Sequence, residues 1–198
     1  AMFLMPEAVH EQAWIFIILT SISVVYGAFG AIWQKDLKYI NAYSSVSHCG
    51  LVLFALLMMN ETAMDGGIIQ MISHGLMTAL FFALIGMIYG RTHTRNIYEM
   101  GGLMKVIPVL SVVYVIAGLA SLGLPGLSGF VAEMTVFVGA FQHVDLFHRI
   151  VTIIAASSIV ITAVYILRVV GILLFGPVKD PHFEHLSDAT WFEKISMF

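Results

Sequence analysis

One carboxylic acid in this chain stands where a carboxylic acid is costly. Glu133 falls in the stretch LASLGLPGLSGFVAEMTVF, residues 119–137, whose remaining residues are apolar or small enough to sit in a lipid bilayer. An ionisable group inside a membrane marks, by default, a proton or ion path. Low dielectric favours the uncharged acid, so Glu133 can hold a proton and release it when a nearby charge changes. The structural alternative is a Glu paired with a Lys of a neighbouring helix. Two histidines share such surroundings. His48 lies in AYSSVSHCG, with Ser44 and Ser45 four and three residues earlier on one helix face. His74 lies in IIQMISHGLMTAL, where Gln70, His74 and Thr78 again share a face. An imidazole passes a proton between its two ring nitrogens, or serves as hydrogen-bonded glue between helices. Lys38 opens the segment that carries His48; it either snorkels to the surface or points inward. The expected relay is Glu133, His74, His48 and Lys38. Ser158, Thr162 and Tyr165, with Arg168 beyond them, form a further polar stripe, read as a helix-packing face or the wall of a path. No metal site is expected, because His48 and His74 lie on different helices with no ligand-type neighbour at i+3 or i+4.

The elements that must position these groups are membrane helices. Sixty per cent of the 198 residues are apolar and 11% are charged, and mean hydropathy is +0.94. A soluble domain carries about 25% charged residues. The net charge of −3 comes with no basic block, zinc spacing or phosphate loop, so nucleic acid is not an expected partner. Cys49 is the single cysteine, which rules out an internal disulfide and an iron–sulfur cluster held by this chain. Residues 1–12 contain two Glu and no Lys or Arg and do not read as a signal peptide.

A bilayer core ~30 Å thick takes about 20 helical residues. Segments 13–33, 39–59, 67–89 and 150–175 meet this directly. Segment 106–141 is too long for one plain span and too short for two. Charge placement decides. If 106–141 is one broken span, Lys35, Lys38, Arg91, Arg95, Lys105, Lys179 and Lys194 share one side, and Arg149 alone faces the other beside Glu7, Glu11, Glu61, Asp65 and Asp145. The basic side is then cytoplasmic, or faces a matrix or stroma. The expected fold is an all-α integral membrane bundle of five transmembrane segments over 1–175, the fourth interrupted near Gly123–Gly129. Residues 176–198 form a tail on the basic side, either an amphipathic turn at the interface or, in its last residues, the start of another span. Interrupted backbone at membrane depth must be buried in protein or face water, and it recurs at ion sites; a plain proline kink is the blander reading.

Taken together, QKDLKYINAYSSVSHCGLVL, GGIIQMISHGLMTALFF, GRTHTRNIYEMGGL and LASLGLPGLSGFVAEMTVFVGAF, in this order and spacing, resemble the antiporter-like membrane subunits of proton-pumping NADH:quinone oxidoreductase, respiratory complex I. A Glu at position 133, where related subunits carry Lys, resembles the M-type, or mitochondrial subunit-4 type. The resemblance implies a fold of two inverted five-helix repeats, each with one broken helix; this chain resembles helices nine to thirteen. It implies that Glu133 is the terminal proton carrier of the second half-channel, that His48 and His74 link the central polar axis, and that Lys38 sits at a loop-to-helix junction. It implies no cofactor in this chain, with flavin and iron–sulfur clusters in partner subunits and quinone bound elsewhere. The implied partners are other antiporter-like subunits and lipids. The rivals are a subunit of a cation/proton antiporter complex or of a membrane-bound hydrogenase. The family's first half-channel groups and final helix have no counterpart in these residues, so the chain is expected to be a fragment, part of a longer polypeptide, or a split subunit.

Overall fold

The computed structural model describes residues 6–197. The elements are helical throughout: α1 (Pro6–Trp33), α2 (Leu37–Leu57), α3 (Glu61–Thr92), α4 (Leu103–Val106), α5 (Pro108–Ser121), α6 (Ser128–Phe141), α7 (Leu146–Leu174), a 3₁₀ turn (Pro181–His185) and α8 (Trp191–Met197). α1, α2, α3 and α7 are each long and apolar enough to cross a membrane. α5 and α6 have 14 residues each, or ~21 Å, short of the ~30 Å a span needs. Side chains start three of the helices: Asp36 accepts from Lys38 N at α2, Asn60 from Ala63 N at α3, and Asp145 from His148 N at α7. These are the residue types that best satisfy the free N–H groups of a first turn.

The interruption is a specific stop. Gly123 takes φ +61°, Leu124 N–H bonds to Leu119 O and Gly123 N–H to Ala120 O. That is the Schellman pattern, in which a left-handed residue lets the chain turn back on its own last carbonyls. Pro125 follows, without an N–H to continue the ladder. The helix resumes at Ser128. The break thus spans 122–127, one residue earlier than expected at its start, and Gly129 lies inside the new helix.

Hydrogen bonds fix which loops share an end. Leu37 N–H bonds to Arg95 O, Ile97 N–H to Lys35 O, Gly102 N–H to Phe175 O, and Lys179 Nζ to Tyr98 O. Loops 34–37, 93–102 and 175–179 therefore meet at one end. At the other, the Asn60 amide donates to Gln142 Oε1 and His143 bonds to Met58 O. So α5 and α6 run head to tail along α3: Phe81 meets the Tyr114 ring on α5, while Gly66 lies against Val136 on α6. A Cβ at Gly66 would stand 2.5 Å from Val136 N, and one at Gly139 would overlap the Ala63 backbone; small residues let these two backbones touch.

Two apolar clusters fill the bundle. One, toward the basic loops, includes Ile40, Leu84, Leu110, Ala117 and Tyr165. The other includes Leu51, Phe54, Ala63, Val136 and Ala155. The helices pass from one cluster to the other through a belt of polar residues. Outside, Ile22, Leu76, Val160 and Leu167 are exposed, as lipid-facing positions are. The tail is folded rather than loose. Asp188 accepts from Val109 and Leu110 N–H, capping α5, Phe183 is buried in the first cluster, and Arg91 grips Glu193 with two parallel bonds of 2.9 and 2.7 Å.

Those Arg91 bonds hold the Glu193 carboxyl down to about 2, against an ordinary 4.5. A depressed folded value contributes stability above the ordinary range and loses it as pH falls through the folded one. The docked tail is therefore expected to be unchanged from pH 7 to 5 and to loosen toward pH 2, read from Trp191 fluorescence anisotropy. Arg91→Ala is expected to loosen it at pH 7, seen as faster tryptic cutting at Lys194 and Lys179.

Candidate functional site

The polar belt is assembled from five helices. α2 contributes Ser44, Ser47 and His48, and α3 contributes Gln70, Ser73 and His74. Ser121 ends α5, Glu133 lies in the second turn of α6, and α7 presents Ser158 and Thr162; all are buried. His48 is the hub. Its Nδ1 accepts from the Gln70 amide nitrogen at 3.1 Å and its Nε2 lies 3.3 Å from Ser121 Oγ. An accepting Nδ1 leaves the proton on Nε2, which donates to the serine. Glu133 Oε1 stands 3.7 Å from the same Nδ1, and the His74 ring is centred 5.1 Å from the His48 ring. Thr78 Oγ1 lies 3.2 and 3.3 Å from the two His74 nitrogens.

The helix break explains how the acid fits. A Cβ added to Gly123 would lie 2.7 Å from Glu133 Oε2. The carboxylate thus packs on the bare backbone of the residue that terminates α5. Its second neighbour is space: a cavity of ≈ 10 Å³ lined by Ser47, His48, Ser121, Glu133, Ser158 and Thr162, about the room one water needs. Across the bundle Ser44 Oγ and Tyr165 Oη are 2.7 Å apart. Beyond them a second cavity of ≈ 10 Å³ is lined by Asn41, Ser44, Tyr114 and Tyr165. Asn41 Nδ2 is buried there without a protein partner, as a group that takes a water would be.

Of the four residues expected from the sequence, Glu133, His48 and His74 converge. Lys38 does not join them. Its side chain is exposed on the first turn of α2, ten residues or ~15 Å along the helix from His48, and the inward orientation its relay role required is not met. The stripe on α7 divides: Ser158 and Thr162 line the first cavity and Tyr165 bonds Ser44, whereas the Arg168 guanidinium donates to Ile32 O and Gln34 O and so caps the end of α1. Sequence reasoning missed Asn41, Ser47, Ser121 and Gly123 as parts of the site. Asn41 continues the Ser44/His48 face one turn further and was within reach of the helical pattern. Ser121 and Gly123 meet His48 and Glu133 only through contacts between separate helices, which spacing does not encode.

If Gly123 is there to receive the carboxylate, Gly123→Ala carries two penalties, the left-handed backbone, about 1–2 kcal/mol, and the clash with Glu133. In a Glu133→Ala background the second is expected to vanish while the first remains. A double-mutant cycle by SDS-induced unfolding measures this; equal penalties in both backgrounds would place the carboxylate elsewhere.

Residues 1–162 match the family described as NADH:quinone oxidoreductase/Mrp antiporter, TM. Among curated proteins, NAD(P)H-quinone oxidoreductase chain 4 1 of Synechococcus elongatus is 38% identical over 188 residues, covering 94% of this chain and 35% of that protein. NADH-quinone oxidoreductase subunit M of Rickettsia prowazekii is 34% identical over 194 residues, covering 98% of this chain and 39% of that protein. Among solved structures, a chain of respiratory complex I from Thermus thermophilus with bound NADH matches with a TM-score of 0.90 and 28% identity, over 100% of this chain and 40% of that one. The chain thus spans well under half the length of the relatives it matches.

Proposed function

Because this chain belongs to the NADH:quinone oxidoreductase/Mrp antiporter transmembrane family, we propose that it forms the proton-carrying part of an M-type membrane-arm subunit of complex I. The relatives named chain 4 and subunit M agree with the type read from Glu133. In this reading α5 and α6 make one crossing, five in all, and the basic loops face the cytoplasm, matrix or stroma. The subunit works beside other antiporter-like subunits. Flavin, iron–sulfur clusters and quinone belong to partner chains, whose electron transfer drives the pump; this chain does no redox chemistry.

The observation that carries the proposal is the 3.7 Å approach of Glu133 to His48 at the helix break. A proton passing from the Glu133 carboxyl to His48 Nδ1 leaves a carboxylate beside an imidazolium. Their attraction is about 4 kcal/mol at 4 Å and an effective dielectric of 20, which offsets part of the cost of two buried charges. Gln70 supports such a step. Its amide nitrogen now donates to Nδ1, and its Oε1 is buried without a partner. Rotating the amide by 180° would turn Oε1 toward a protonated Nδ1, so both charge states of His48 have a hydrogen-bond partner. His74, one ring away, extends the link across α3. A charge arriving in the belt shifts this balance, since a tenfold change in proton affinity takes only ~1.4 kcal/mol. Lys38, exposed at the basic end, serves the surface near the entrance rather than the buried link.

The second reading, favoured by the antiporter half of the family description, is a cation/proton antiporter subunit, whose proton flux follows a sodium gradient instead of quinone reduction. Glu133→Gln in the full-length subunit within its complex tests the relay. With assembly intact, donor-driven proton uptake into sealed vesicles is expected to fall at least about tenfold, below the ~10²-fold that a positioned acid–base group contributes when no bypass exists. Normal pumping by this variant would reduce Glu133 to a structural acid; flux that follows sodium and ignores the electron donor would favour the antiporter reading.

A further inference from the structure

The polar belt ends differently on its two sides. Toward the end remote from the basic loops it stops within one helical turn. The next buried residues in that direction are Gly50 and Leu51 on α2, Gly66 and Gly67 on α3, Val136 and Phe137 on α6, and Ala155 on α7. Gly66 lies directly against the Val136 backbone. Toward the basic loops, polar side chains continue into the apolar cluster itself. Asn41 and Ser44 on α2, Ser111 and Tyr114 on α5, and Tyr165 on α7 are all buried. The cavity beside Asn41, Ser44, Tyr114 and Tyr165 also reaches Leu37. Leu37 is the first residue of α2, and its N–H bonds to Arg95 O in the basic loops. Ser111 Oγ, three residues before Tyr114, is buried without a protein partner, as Asn41 Nδ2 is. Buried polar atoms of this kind are where single waters are held.

Tyr165 stands between this cavity and the one beside Glu133. Its Oη is 2.7 Å from Ser44 Oγ and also interacts with the hydroxyls of Ser121 and Thr162. Ser121 accepts from His48 Nε2, and Thr162 lines the first cavity. A hydroxyl that accepts one hydrogen bond still has its own hydrogen to donate. His48 Nε2, Ser121, Tyr165 and Ser44 therefore form a file in which each member can accept from one neighbour and donate to the next. The Tyr165 ring packs in the apolar cluster toward the basic loops, which fixes where its hydroxyl lies.

We propose that the Tyr165 hydroxyl is the relay through which Glu133 exchanges its proton with the basic end of the bundle. This relay rests on the Glu133–His48 transfer proposed above. Once His48 holds the Glu133 proton at Nδ1, its Nε2 proton passes to Ser121 Oγ. The Ser121 hydrogen passes to Tyr165 Oη, the Tyr165 hydrogen to Ser44 Oγ, and the Ser44 hydrogen to a water in the second cavity. Each hydroxyl ends with one hydrogen, the imidazole is neutral with its proton on Nδ1, and the positive charge is on the water. Run in reverse, the same file loads Glu133 from the basic end.

Infrared spectroscopy of the full-length subunit within its complex, in oriented proteoliposomes, tests this. The pH on the basic side is lowered in a rapid step. The carbonyl stretch of protonated Glu133, assigned by its loss in Glu133→Gln, is then followed in time. Tyr165→Phe removes the hydroxyl and keeps the ring; it is expected to slow the rise of this band at least about tenfold, below the ~10²-fold that a positioned proton-transfer group contributes. Ser44→Ala is expected to do the same, and decides the matter if Tyr165→Phe fails to assemble. Thr152→Val removes a buried hydroxyl from the sealed stretch of α7, where it bonds to His148 O, and is expected to follow the parent. No rise in the parent, a rise in Tyr165→Phe and Ser44→Ala as fast as the parent's, or an equal delay in Thr152→Val would overturn the proposal. The band reports a proton arriving at Glu133 rather than pumping, so failure of this relay is told apart from failure of the functional reading, which normal pumping by Glu133→Gln would bring.

Discussion

The structure is organised around one constraint: an acid is held inside an apolar bundle without a fixed cation. Among the described residues, the group within ion-pair range of Glu133 is His48, which is charged only when protonated. A permanent Lys or Arg partner would settle the acid as a carboxylate, whereas an all-apolar pocket would settle it as a neutral acid. A histidine leaves both states within reach and couples them. The neighbourhood follows from that choice. Ser121 and Gln70 orient the imidazole through both nitrogens, Gly123 offers backbone where a side chain would collide with the carboxylate, and a water-sized space adjoins both groups.

Packing confines this polar belt to the middle of the bundle. On α2 it falls between Ile40 and Leu51, on α3 between Ala63 and Met77, along α5–α6 between Ala117 and Val136, and on α7 between Ala155 and Tyr165. The residues flanking the belt belong to one apolar cluster above it and another below. Two cores seal the polar layer, because every buried polar group left without a partner costs on the order of 1–3 kcal/mol. Two that remain unpaired in the belt, Asn41 Nδ2 and Gln70 Oε1, lie beside a water-sized cavity and beside His48, where an exchangeable partner can reach them.

The broken helix and the helical bundle were legible in the sequence because both rest on local chemistry. Proline, two glycines and an apolar run report a stop by their own backbone limits, and the basic residues sort the loops by simple counting. Glu133, His48 and His74 were legible for a related reason: ionisable side chains are rare in such a chain, so each stands out. Lys38 was ambiguous by its position at a helix start, where snorkelling and inward rotamers differ by rotation about a few bonds. Ser121, Ser47 and Gly123 were not legible as site residues, since serine and glycine are ordinary in membrane helices. Their role comes from α5 ending where α2 and α6 pass.

The break also explains why the tail is docked. An unbroken helix spanning the bundle transmits restraint from one end to the other through its own hydrogen bonds. α5 cannot, for its ladder ends at Ser121, and six residues separate it from the start of α6. Each half must be anchored from its own end. For α6 the anchor is the backbone contact at Gly66 and Gly139 with α3. For α5 it is Asp188, which caps Val109 and Leu110 and is itself held by the Arg91–Glu193 pair. With both outer ends fixed, the two halves meet at 122–127, where Gly123 lies against the Glu133 carboxylate. The proposed proton transfer rests on that arrangement: helices anchored at their outer ends set the 3.7 Å approach to His48, and the turn held by the Gly123, Leu124 and Leu127 N–H bonds places the acid beside the break.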